Sequence, residues 1–127
     1  MAKILIVDDE EDFRITTGTM LSLKVHTVIY AQDGIQALES IRINSPDVVL
    51  CDIDMPKLKG FDVLSELRKD PTISSIPIIF LTGKHDISYM VRAMHLNVDD
   101  FLNKPFDSED LFRVINIQLK KVYTRSQ

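Results

Sequence analysis

Five short, unbroken apolar runs recur along this chain, and they constrain its fold more than any other feature. They are Ile4–Val7, Thr27–Ala31, Val48–Cys51, Ile78–Leu81, and Phe101–Leu102 with its flanks. A strand with one face in water alternates apolar and polar residues, whereas a strand covered on both faces reads as a continuous apolar run. The segments between carry helical spacing. Phe13, Thr17, Met20 and Leu21 mark the first, Ala37, Leu38 and Ile41 the second, and Phe61, Leu64 and Leu67 the third. Ile87, Met90, Val91 and Met94 fall at i, i+3, i+4 and i+7, which assigns them to the core and leaves Tyr89, Arg92 and His95 on the opposite face. Leu111, Val114, Ile115, Leu119 and Val122 mark the last, with Asp107 or Ser108 as its N-cap. All five prolines fall between elements, where a missing N–H does no harm. Strict alternation of strand and helix predicts an α/β fold: one parallel sheet, right-handed crossovers and helices on both faces.

The 127 residues suit one domain, 1–127. A domain of that size buries roughly two-thirds of the surface its unfolded chain exposes, so it holds a core without staples. At 45% hydrophobic and 27% charged, the chain is far from a disordered composition. Its net charge of -4 argues against a surface built to bind nucleic acid. Cys51 is the sole cysteine, which excludes an internal disulfide and suggests a reducing, cytoplasmic setting. No apolar stretch approaches the roughly 18 residues of a membrane span. The run Ile4–Val7 meets Asp8 too soon to form a secretory signal.

In parallel α/β sheets ligands sit beyond the carboxyl ends of the strands, where the strand order reverses. The polar residues at the ends of the runs are Asp8-Asp9, Asp52, Thr82-Gly83 and, past Asn103, Lys104-Pro105, while the second run ends in Gln32-Asp33-Gly34, a turn with no evident chemistry. If the order is 2-1-3-4-5, Asp8, Asp9 and Asp52 converge at the reversal, with Thr82 and Lys104 on the same edge. Three clustered carboxylates call for a cation. An all-oxygen set with room for water suits Mg²⁺ better than zinc, and His26, His85 and His95 have no ligand spacing. A cation would let one carboxylate attack phosphorus, while a lysine and a hydroxyl hold the remaining phosphoryl oxygens.

These residues resemble the receiver family of two-component signalling. Ile4-Leu5-Ile6-Val7-Asp8-Asp9-Glu10 is similar to its acidic opening, and Pro46 through Pro56, followed by Gly60, to its phosphoacceptor strand and loop. Phe80-Leu81-Thr82-Gly83 and Asp99 through Phe106 resemble the two switch segments. The resemblance implies a flavodoxin-like, doubly wound five-stranded sheet of order 2-1-3-4-5. It implies Asp52 as phosphoacceptor, Mg²⁺ held by Asp8, Asp9, Asp52 and the backbone carbonyl of Asp54, and Thr82 and Lys104 as phosphoryl-binding groups. Phe101 is then the switch aromatic, and the Lys104–Pro105 bond is cis. The implied partners are a sensor histidine kinase or phosphotransfer protein, a downstream effector or fused output domain, and a second copy of the domain. Catalysis is confined to the domain's own phosphorylation and dephosphorylation.

The chain departs from the family pattern in three places. Phe101 stands where tyrosine is common. Asn97-Val98 replaces the usual Gly-Ala, and Asn is the next-best residue for a left-handed helix cap. Asp54 adds an acid beside the site, which the sequence pairs with Lys84 across its mouth. Taken singly, the acids at 8–12 also suit a helix N-terminus, and Cys51 reads as an inert buried thiol. Two rival functions stand beside the receiver: a phosphotransferase of the haloacid-dehalogenase type, whose Asp-x-Asp motif Asp52-Ile53-Asp54 resembles, and a receiver that works only as an interaction module.

Overall fold

The computed structural model describes residues 2–83 and 87–126, excluding the side chains of Ile87, Met90 and 123–126. The elements alternate as β1 (Lys3–Val7), α1 (Glu11–Ser22), β2 (Thr27–Ala31), α2 (Gly34–Asn44), β3 (Val48–Asp52), α3 (Gly60–Lys69), β4 (Ile78–Thr82), α4 (Ile87–His95), β5 (Asp100–Asn103) and α5 (Ser108–Ser126). The strands form one sheet of order β2-β1-β3-β4-β5, every pair parallel. This is the doubly wound arrangement that the alternation and the resemblance lead one to expect.

Side chains alternate across each strand, so neighbouring residues enter different cores. Leu5, Val7, Val49, Cys51, Ile78 and Phe80 pack with Ala37, Ile41, Phe61, Leu64, Leu67 and Ala93, under α2, α3 and α4. Ile4, Ile6, Leu50, Ile79, Leu81 and Leu102 pack with Leu21, Leu111 and Ile115, under α1 and α5. Both faces of β1, β3 and β4 are covered, which explains their uninterrupted apolar runs, whereas the edge strand β2 leaves Thr27 and Tyr30 exposed. Each fully buried side chain of this size contributes roughly 1.5–3 kcal/mol.

Local signals end the elements as their residue types require. The Asp107 carboxylate accepts from the Asp110 amide at 2.9 Å and caps α5. Asn97 takes φ 60°, and the bond from the Val98 amide to the Ala93 carbonyl (3.1 Å) closes α4 in the expected left-handed turn. Arg68 ties this end of the sheet together. It reaches Asp99 at 2.6 Å and the carbonyls of Ser74, Ile76 and Asn97, while Asp99 also accepts from the Ile78 amide.

The core face of α4 differs from the sequence reading. Ala93 is fully buried, and Tyr89 and Leu96 pack against the core, whereas Val91 is 47% and Met94 66% exposed. The segment is helical, as its periodicity predicts, but the inward face is centred on Ala93. A small residue lets the helix approach the sheet closely, and hydrophobicity alone does not distinguish that face from an exposed apolar one. Arg92 and His95 are exposed as expected, whereas Tyr89 is half-buried. The Ile87 and Met90 assignments concern side chains outside the described residues.

Candidate functional site

The carboxyl edge of the sheet gathers every described side chain that the sequence singled out there. Asp8 follows β1, Asp52 closes β3, Thr82 closes β4 and Lys104 follows β5. The reversal of strand order lies between β1 and β3, so Asp8 and Asp52 come from the two strands that flank it. One carboxylate oxygen from each of Asp8, Asp9 and Asp52 lies within 4.8 Å of the others. An all-carboxylate set of this size could hold a hard divalent cation.

Asp8 is completely buried and correspondingly well bonded. Its Oδ2 accepts from Lys104 Nζ at 2.6 Å and its Oδ1 from the Glu10 amide at 2.9 Å. Its backbone carbonyl accepts from Arg14 at 2.6 Å. Asp9 is exposed, and Glu11 and Asp12 occupy the first turn of α1, so the acidic opening serves both the cluster and the helix dipole. Lys104 Nζ is also 4.0 Å from Asp52 and 4.0 Å from the centre of the Phe13 ring. The Lys104 amide donates to the Thr82 carbonyl at 2.8 Å, and the Lys104–Pro105 bond is cis.

Burial pushes the Asp52 carboxyl up to about 6. Lys104 opposes that shift, Asp8 reinforces it, and the amide of Asp54 donates to the same carboxylate. Cys51 points to the other face, is fully buried and donates to the Asp52 carbonyl at 3.4 Å. Burial raises its thiol far above the usual range, and the charges of Asp52 and Asp8 add to this, so it is inert as a nucleophile. Phe101 is half-buried, its ring centre 6.4 Å from that of Phe80.

Four contributors escaped the sequence reading. Phe13 and Arg14 sit on α1 beside Lys104 and Asp8; the sequence marks Phe13 only as a core residue and singles out nothing at Arg14. Asp33, read as a plain turn residue, is buried; it caps α2 through the Gln36 amide at 2.9 Å and pairs with Lys57 at 3.4 Å. Tyr89 reaches Asp54, donating to Oδ1 at 3.3 Å, and Lys59 lies 3.9 Å from that same oxygen. The expected pairing of Asp54 with Lys84 lies outside the described residues.

A family profile described as the response regulator receiver domain matches residues 4–116. The chain belongs to the response regulator receiver family. The receiver is 41% identical over 119 residues to a probable transcriptional regulator, ycf27, of Guillardia theta, covering 94% of this chain and 46% of that protein. It thus spans about half the length of such a relative. Its fold matches the signal receiver domain of a signal transduction histidine kinase from Syntrophus aciditrophicus with a TM-score of 0.89, at 26% identity and covering 96% of this chain and 92% of that one. It matches the chemotaxis protein CheY4 of Vibrio cholerae equally well, with a TM-score of 0.89, at 28% identity and covering 94% and 99% of the two chains. Receivers of this family act in two-component phosphorelay signalling, and membership sets aside the dehalogenase alternative. Among the described residues no helix is long and apolar enough to cross a membrane.

Proposed function

We propose that this receiver accepts a phosphoryl group on Asp52, from a sensor histidine kinase or a phosphotransfer protein, and passes the change to a partner through α4, β5 and α5. The observation that carries this reading is the meeting of Asp8, Asp9 and Asp52 at the strand-order reversal, with Lys104 bridging Asp8 and Asp52. The acids fit Mg²⁺: the oxygen donors are hard, and two of the three side chains leave open directions for water. Asp8, Asp9, Asp52 and the backbone carbonyl of Asp54 would hold it. Bound there, it supplies positive charge that offsets repulsion between the carboxylates and the incoming phosphoryl oxygens.

The protein's own groups do the rest. An oxygen of the Asp52 carboxylate forms a bond to phosphorus as the P–N bond of the phosphohistidine breaks, and the bonding pair leaves with the imidazole. Lys104 and Thr82 bind the phosphoryl oxygens. Phe101 follows Thr82 inward and carries the change to the surface. The recipient of that change is a downstream effector, a fused output domain or a second copy of the receiver. The net charge of -4 makes a protein a better match than nucleic acid. A reducing, cytoplasmic setting suits the buried thiol of Cys51.

Intact-mass spectrometry with a small phosphodonor tests the reading. Wild type gains one phosphoryl group only with Mg²⁺ present, and Asp52→Ala gains none. Equal uptake by both proteins would refute it.

A further inference from the structure

One aromatic side chain of α4 reaches the phosphoacceptor loop. Tyr89 packs edge-on against Phe61, with ring centres 5.5 Å apart and planes at 85°. Phe61 meets Phe80 in the same way at 5.5 Å, and Arg92 lies 4.3 Å from the centre of the Phe61 ring. These contacts with α3 and β4 fix the Tyr89 ring and aim its hydroxyl at Asp54 Oδ1, 3.3 Å away, where Lys59 also approaches. Asp54 in turn donates its amide to the Asp52 carboxylate. A chain of direct contacts therefore runs from α4 to Asp52.

We propose that Tyr89 is a positioning residue: its hydroxyl holds the Asp54 carboxylate outward, away from Asp52, and so prolongs the phosphorylated state. This rests on Asp52 being the phosphoacceptor. Loss of the phosphoryl group needs a water oxygen to bond to phosphorus while the P–O bond to Asp52 breaks, its pair returning to the Asp52 carboxylate. The proton given up by the water needs an acceptor, and the nearby Asp54 carboxylate is one once it turns inward. At 3.3 Å the bond from Tyr89 is long for an O–H donor, so a small displacement of α4 breaks it. A partner that grips α4 would thus set the lifetime of the signal.

The test compares decay of the phosphorylated protein for wild type and Tyr89→Phe, each with and without Asp54→Asn. Phenylalanine keeps the packing against Phe61 and removes only the hydroxyl. Tyr89→Phe should decay about 3- to 10-fold faster where Asp54 is intact, as expected for one lost hydrogen bond of ordinary net strength. In the Asp54→Asn background it should have no effect. Unchanged decay with Asp54 intact, or equal acceleration in both backgrounds, would overturn the proposal. If wild type takes up no phosphoryl group, the assignment of Asp52 fails instead. NMR of the unphosphorylated protein then tests the tether alone: Tyr89→Phe should shift the amide resonances of residues 53–55, and their constancy would refute it.

Discussion

The ammonium group of Lys104 lies 2.6 Å from Oδ2 of Asp8, closer than its 4.0 Å approach to Asp52, so the lysine neutralises the most buried acid of the cluster. Removing one partner of a buried pair leaves an uncompensated charge. Without divalent ions, Lys104→Ala should lose about 3 kcal/mol of stability at neutral pH. Mg²⁺ should recover much of that loss, raising the unfolding midpoint of the variant more than that of wild type. Denaturation curves with and without Mg²⁺ measure both effects. A variant as stable as wild type in the absence of metal would contradict the role given to this contact.

Asp52 makes the opposite contribution to folding. Its carboxyl is raised from 3.8 to about 6, so the folded protein binds this proton more tightly than the unfolded chain does. That favours folding in acid, and the contribution is lost as pH rises from about 4 through 6. Without divalent ions at pH 7.5, Asp52→Asn should therefore be more stable than wild type, by at most about 3 kcal/mol. The difference should vanish near pH 4, and saturating Mg²⁺ should narrow or reverse it. Urea titrations across that range decide the matter; a gap independent of pH would tell against the burial of this charge.

Phosphorylation should remodel the surface that α4 and β5 present, through Thr82 and Phe101, while the contact with Phe61 keeps Tyr89 in place beside Asp54. A phosphoryl group adds about -1.5 to -2 charges, and its new hydrogen bonds should draw Thr82 toward Asp52. Phe101 then moves into the space vacated beneath α4. Its ring is already half-buried, so completing the burial gains roughly 1 kcal/mol, enough to shift a two-state balance about fivefold. NMR spectra with and without beryllofluoride, a mimic of the phosphoryl group, should show changes across residues 87–106. Changes confined to the surroundings of Asp52 would exclude the switch.

The sheet and its acidic edge were legible because two-sided burial and clustered charge leave few alternatives. Residues such as Val48–Cys51 suit a strand covered on both faces, Asp8 and Asp52 each follow an apolar run directly, and Lys104 lies one residue beyond the last run. The orientation of α4 was not legible, since Met94 and Ala93 are both apolar and only the room above the sheet decides which one enters. Tyr89 was missed for the same reason: the turn of the helix that buries Ala93 also swings Tyr89 toward Asp54. The Lys104–Asp8 contact was half legible. Its residue types implied an anion clamp, but only the fold shows which acid the lysine favours.

The central claim is that Asp52 itself carries the phosphoryl group as an acyl phosphate. Borohydride reduces such a mixed anhydride to an alcohol, so a phosphorylated aspartate becomes homoserine. Peptide mapping after treatment with a phosphodonor, Mg²⁺ and borohydride should find homoserine at position 52 and aspartate there when Mg²⁺ is withheld. Homoserine at another aspartate, or an unmodified position 52 in protein that has gained the phosphoryl mass, would contradict the account.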